Sequence, residues 1–176
     1  MKPAKTAGTS ILRSILLKRI KGIIHQKDNP KQFTEWLKKI TEKELENYFI
    51  FAVTRNPWDR VVSIASYFKI QPEKFIEEIE EICKKRKKVR AHSFAIHHYT
   101  HSDGQQITDQ LCSFENLQED LNKVFKRIGL PNTKIPHRNK SSRTHYSRYY
   151  NKTRKEIVAR IYEKDIQYYG YEFKKA

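Results

Sequence analysis

From Tyr48 to Thr54 the chain reads YFIFAVT, a short run that is almost wholly apolar and rich in aromatics. Such a run suits a strand buried on both faces, as in a parallel sheet covered by helices. It leads directly into Arg55-Asn56-Pro57. Asn56 can cap a helix and Pro57 can begin one, and the helix so begun carries Val61, Val62, Ile64, Ala65 and Phe68. The strand thereby delivers Arg55 to its C-terminal end, which is where α/β sheets bind ligands. Ser63 follows eight residues later, about two turns into the helix, on a face that can look back toward Arg55. A guanidinium and a hydroxyl aimed at one place suit a phosphate, which arginine grips with two parallel bonds. Arg55 can also pair with Asp59 and staple the turn.

A second anion-binding pattern lies at the start. Lys2-Pro3-Ala4-Lys5-Thr6-Ala7-Gly8-Thr9-Ser10 is a small-residue loop that opens into Ile11-Leu12-Arg13-Ser14-Ile15-Leu16. The first backbone N–H groups of a helix have no internal partner and lie at its positive dipole end. Small residues let an oxyanion approach them, and Lys5 adds a full charge. In the ATP-type loop the lysine follows the last glycine, whereas Lys5 precedes Gly8. By itself such a cluster can equally be an ordinary helix cap. The Arg55–Ser63 segment favours the anion site, because two separated anchors suit a ligand with phosphates at both ends.

The remaining chain reads as alternating helices and short strands. Helical spacing runs over residues 9–24, and Asn29-Pro30 starts a helix with Phe33, Trp36, Leu37 and Ile40 on one face. Pro72 opens a helix that ends in the basic block Lys84-Lys85-Arg86-Lys87-Lys88. Residues 91–106 read as irregular and hold His92, His97, His98 and His101. Gln110 to Phe114 is a second strand candidate. Glu115 to Ile128 is a helix stopped by Gly129, and Asn151 caps a final helix to Tyr168. Residues 130–151 form a basic loop rich in tyrosine. The pattern predicts one α/β domain over residues 1–176, helix-rich, with a short parallel sheet flanked by helices.

Thirty-six Lys and Arg against twenty Asp and Glu give a net charge of +16, which favours anionic partners. A hydrophobic fraction of 38% excludes a disordered chain. Cys83 and Cys112 form no metal motif or disulfide framework and read as reduced core residues. No stretch approaches the roughly 20 apolar residues of a membrane span, and the start lacks a signal-peptide pattern, so the expected location is the cytoplasm. No nucleic-acid motif accompanies the charge, so nucleic acid is not expected as a partner. A kinase would call for a glycine-rich Lys-Ser/Thr loop and a magnesium-binding carboxylate, and no convincing pair is found. Oligomeric state is not legible.

Together the two anion-binding stretches resemble the sulfotransferases that use 3′-phosphoadenosine-5′-phosphosulfate (PAPS). They are most similar to the carbohydrate branch containing the chondroitin and dermatan 4-O-sulfotransferases, the HNK-1 enzyme and bacterial relatives. That family's first motif is a Pro-Lys-Thr-x-Gly-Thr-Ser loop, matched by Pro3-Ala4-Lys5-Thr6-Ala7-Gly8-Thr9-Ser10 with one extra residue. Its second, Arg-(Asp/Asn)-Pro-x-x-Arg-x-x-Ser, is matched without a gap from Arg55 to Ser63. Weaker echoes follow in the family's order: Cys112 to Leu117, Glu119-Asp120-Leu121, Asn139-Lys140-Ser141, then Tyr162, Asp165, Ile166, Gly170 and Tyr171.

The resemblance implies a three-layer P-loop-like fold and transfer of a sulfuryl group from PAPS to a carbohydrate hydroxyl, in line and without a metal. It assigns Lys5, Thr6, Gly8, Thr9 and Ser10 to the 5′-phosphosulfate and Arg55 and Ser63 to the 3′-phosphate. Apart from the resemblance, the basic, tyrosine-rich loop offers Lys140, Ser141 and Arg143 to close over the donor's phosphate and Arg148 to an acidic acceptor, or is equally a solvated loop pinned by its tyrosines. Lys5 doubles as a catalytic group against the charge that builds on the leaving oxygen. The base is expected from the segment that corresponds to His-x-x-Pro-Gln in related enzymes. Aligned there, His97 takes the histidine position, with Thr100 and His101 replacing proline and glutamine; a one-residue shift selects His98. The partners implied are PAPS, its product adenosine 3′,5′-bisphosphate, and a carbohydrate or polysaccharide acceptor, for which the charge suits an acidic one. The alternative is a non-catalytic nucleotide or polyanion binder that keeps the anion loops. In the family a buried strand precedes the first loop, yet only Met1 and Lys2 precede Pro3 here. The sheet is therefore expected with its first strand truncated or missing.

Overall fold

The computed structural model describes Glu35, Lys39, residues 46–135 and residues 143–176. The expectations for residues 1–34, including the opening loop and the missing strand, lie outside the described residues, as does the loop at 136–142. Within them the chain is a helix-rich α/β fold with a short parallel sheet flanked by helices. Strand β1 is Phe51–Thr54, the C-terminal part of the YFIFAVT run, and Tyr48 before it is exposed. Ala52, Val53 and Thr54 are all buried, as a strand covered on both faces requires.

Asn56 caps α1 (Pro57–Tyr67), its side chain accepting from the backbone N–H groups of Trp58 and Asp59, with Pro57 at the first helical positions. Trp58, Val61, Val62, Ile64 and Ala65 enter a core shared with the following helices. The single helix expected from Pro72 to the basic block divides into α2 (Pro72–Glu77) and α3 (Ile79–Lys85), and a further helix, α4 (Lys87–Ser93), starts within that block and runs past its expected end. Glu78 leaves the helical region at φ −110°, and Arg86 is extended. The second break turns α4 so that Val89 is buried against the same core as Phe75 and Ile76.

Residues 91–106 are more regular than their polarity predicts. A single turn, α5 (His97–Thr100), is followed by a hairpin of β2 (His101–Ser102) and β3 (Gln105–Gln106). Asp103 and Gly104 both take positive φ at the tip, the geometry of a type I′ turn. Strand β4 (Gln110–Ser113) then pairs in parallel with β1, from Phe51 opposite Gln110 to Thr54 opposite Ser113. Helix α6 (Leu117–Arg127) covers one face of this pair. Its Leu121, Val124 and Phe125 pack with Val53, Cys112 and Ile135. Burial pushes the Cys112 thiol up to about 12, which agrees with an inert core cysteine. Gly129, at φ 72°, ends the helix in a Schellman turn, in which Leu130 N–H donates to Phe125 and Gly129 N–H to Lys126.

A 3₁₀ turn at Tyr146–Tyr149 precedes α7 (Lys152–Ile161), capped by Asn151 as expected. The last helix is not continuous: Tyr162 breaks it, and α8 (Glu163–Tyr169) follows. Tyr162 is buried, and its hydroxyl donates to the Ser93 carbonyl at 2.8 Å. Among the described residues no helix is long and apolar enough to cross a membrane.

Candidate functional site

Arg55 leaves the end of β1 and is nearly enclosed, at 6% exposure. Its guanidinium lies 4.0 Å above the Phe114 ring, which gives the charge a π face on which to rest. Nη1 donates to Ser63 Oγ at 3.2 Å, so the two residues paired by sequence spacing do meet. Nε and Nη2 both reach Asp59 Oδ2, at 2.8 and 2.7 Å. The phosphate-type pairing and the staple of the turn are thus made together by one guanidinium. Asp59 Oδ1 in turn accepts from Arg143 Nη2. Two arginines are therefore organised about a single carboxylate, and one of them also holds the Ser63 hydroxyl. Burial works to raise the Asp59 carboxyl, but Arg55 and then Arg143 outweigh it and hold it below its ordinary value.

The neighbouring backbone is pinned from the turn after β4 and from the C-terminal segment. Asn56 N–H donates to Glu115 Oε1 at 2.8 Å, and Asn56 Nδ2 donates to the Glu172 carbonyl at 2.9 Å. Tyr171 shares a hydrogen bond with Thr54 Oγ1 at 2.9 Å and donates to Glu115 Oε2 at 3.2 Å. Burial raises the Tyr171 hydroxyl, so it stays protonated and available as a donor.

The histidines form a second group around α5 and α8. His97 Nδ1 stands 2.8 Å from Asp165 Oδ1, and the ring lies against His98 with centroids 4.1 Å apart. His101 stacks on Tyr168 at 4.0 Å, with its Nδ1 bonded to Thr100 Oγ1 at 2.8 Å. Burial lowers both His98 and His101 from the ordinary imidazole value, and the charge of His97 adds to the effect. The two groups are bridged by one short stretch of chain. Tyr169 bonds Thr100 beside the histidines, and Tyr171 bonds Thr54 beside Arg55.

Of the residues singled out from sequence, the structure thus joins Arg55, Ser63 and Arg143 in one group and His97 with His98 in another. Lys5, Thr6, Gly8, Thr9, Ser10 and Ser141 lie outside the described residues. Sequence reasoning did not assign Asp59 its bond to Arg143, nor Asp165 its bonds to the start of α5. A signal for Asp165 was present: it follows Val158 and Tyr162 at helical spacing, so an acidic side chain occupies an inward position.

The family model of the sulfotransferase family matches residues 4–172. The chain is also 33% identical over 93 residues to an uncharacterized protein of Archaeoglobus fulgidus, an alignment that covers 53% of this chain and 78% of the relative. No solved structure matches it. With a match over nearly its whole length, the chain belongs to the sulfotransferase family.

Proposed function

We propose that this chain, read as one domain over residues 1–176, transfers a sulfuryl group from PAPS to a hydroxyl of a carbohydrate acceptor. The observation that carries the reading is the group at the end of β1. There Arg55 and Arg143 converge on the Asp59 carboxylate, and Arg55 also donates to the Ser63 hydroxyl. A donor set that already gathers around one anion suits the 3′-phosphate, whose oxygens can take bonds from both guanidinium groups and the hydroxyl. Holding the 3′-phosphate fixes the donor's register, so that its sulfur lies in a reproducible place for attack. Lys5, Thr6, Gly8, Thr9 and Ser10 are assigned to the 5′-phosphosulfate by family likeness, and Ser141 to the same closure as Arg143.

In the proposed reaction the acceptor oxygen attacks sulfur in line. The O–S bond forms with that oxygen's electron pair, and the bond from sulfur to the bridging phosphate oxygen breaks. The pair released stays on adenosine 3′,5′-bisphosphate, where Lys5, assigned by family likeness, offsets the added charge. The acceptor's proton passes to a histidine, drawn from His97 and His98. No metal takes part. An acidic carbohydrate suits the net charge of +16.

Incubation with sulfur-labelled PAPS and a panel of neutral and acidic glycans tests this. The wild-type chain should label a glycan, with Lys5→Ala and His97→Ala each slower by about 10²-fold or more. Retained binding of adenosine 3′,5′-bisphosphate with no transfer to any acceptor would make the chain a binder instead.

A further inference from the structure

Asp165 is a carboxylate with 1% exposure on the inward side of α8, a position where an apolar residue would ordinarily stand. Burying such a group is costly unless donors surround it. Three surround this one. Ile96 N–H donates to Oδ2 at 2.7 Å, His97 N–H donates to Oδ1 at 2.8 Å, and His97 Nδ1 lies 2.8 Å from Oδ1. The first two hold the start of α5. The third settles the chemistry of the ring, because a carboxylate can only accept. Nδ1 must therefore carry the hydrogen, and in the neutral ring Nε2 keeps its lone pair. That is the tautomer a general base requires.

The other two histidines lack this arrangement. His101 Nδ1 faces a hydroxyl, which can donate or accept and so fixes neither tautomer. His98 is exposed, and its ring lies against that of His97 rather than against a carboxylate. His97, by contrast, is 15% exposed, enough for one edge to meet a substrate while the ring is held.

Resting on the sulfuryl-transfer reading above, we infer that Asp165 is the positioning residue that makes His97 the base. It pins Nδ1–H, presents Nε2 to the acceptor hydroxyl, and stabilises the imidazolium left when Nε2 takes the proton. The same division of labour, a buried carboxylate that orients and a histidine that transfers, operates in the Ser-His-Asp hydrolases. Asp165 itself exchanges no proton and touches no substrate.

Long-range proton–nitrogen spectra of the labelled full chain read the tautomer without any substrate. The expected result is a neutral His97 with hydrogen on Nδ1 and a bare Nε2; hydrogen on Nε2 overturns the proposal. In the transfer assay, Asp165→Asn should lower kcat by about 10²- to 10⁴-fold and leave the PAPS KM within about threefold. A side-chain amide keeps only one acceptor oxygen for the two N–H groups at the start of α5, so the His97 tautomer read in the same folded variant separates the roles: lowered kcat with the hydrogen moved to Nε2 supports the base role, and lowered kcat with the hydrogen still on Nδ1 contradicts it. Should Asp165→Asn not fold, the wild-type spectrum still decides. The two readings fail separately. Absence of turnover in the wild-type chain overturns the transfer assignment and the base role with it. Turnover that survives Asp165→Asn undiminished overturns only the part given to Asp165.

Discussion

Arg143 donates to the Asp59 carboxylate across 84 positions of sequence, and the same carboxylate holds Arg55 four residues away. Asp59 is therefore what keeps two guanidinium groups side by side when no phosphate is bound. Asp59→Asn should leave these cations poorly compensated and lower stability by about 1–3 kcal/mol, less than a fully buried pair because the carboxylate is partly solvated. Adenosine 3′,5′-bisphosphate should then raise the melting temperature more in the variant than in the wild type, since it supplies the missing charge. Thermal unfolding with and without ligand reads both effects. An unchanged melting temperature in Asp59→Asn would show that the carboxylate does not organise the pair.

Ser63 contributes one hydroxyl to the same place, 3.2 Å from Arg55 Nη1. Hydrogen bonds to charged groups are worth about 1.5–3 kcal/mol, so Ser63→Ala should weaken adenosine 3′,5′-bisphosphate binding by about ten- to a hundred-fold. Calorimetric titration measures this. Equal affinity in the variant would remove Ser63 from the site.

Acid should destabilise the fold in two stages. His98 and His101 lie below the ordinary imidazole value of 6.5, through burial first and the charge of His97 second. Below about pH 6.5 the unfolded chain binds protons that the folded rings resist, so stability falls as pH drops through that window. Asp59 is held below its ordinary value of 3.8. Its contribution is present above that value and is lost as pH falls through its lower folded value. Urea unfolding across the acid range should therefore show an early decline that His98→Gln reduces and a later one that Asp59→Asn reduces. A stability profile that is flat between about pH 7 and about pH 5 contradicts the first stage.

Tyr171 ties the C-terminal segment to β1 through Thr54 and to the turn after β4 through Glu115. Tyr171→Phe keeps the ring and removes the hydroxyl, and should cost about 1 kcal/mol in urea unfolding. A loss well beyond this would mean that the segment also supports the site by packing.

What the sequence made legible was local. The strand run, the Asn56 cap, the Pro57 start and the Arg55–Ser63 pair are all set within a few residues of one another, where covalent geometry and helical spacing decide. The Gly129 stop was legible for the same reason. The breaks at Glu78 and Tyr162 were not, because apolar spacing continues through both, whereas the one at Arg86 falls in the basic block where the helix was expected to end. Asp103-Gly104 did carry a turn signal, but the strands it joins are two residues each, too short to register as a pattern. The bonds of Asp59 to Arg143 and of Asp165 to His97 span 84 and 68 positions and depend wholly on how the elements pack.

The central claim is that the end of β1 is built for a 3′-phosphate, and a ligand comparison on Arg55 tests it most directly. Adenosine 3′,5′-bisphosphate should raise the melting temperature of the wild-type chain far more than ATP does, and Arg55→Ala should abolish the difference. Equal responses to the two nucleotides, or a preference that survives Arg55→Ala, would contradict the account.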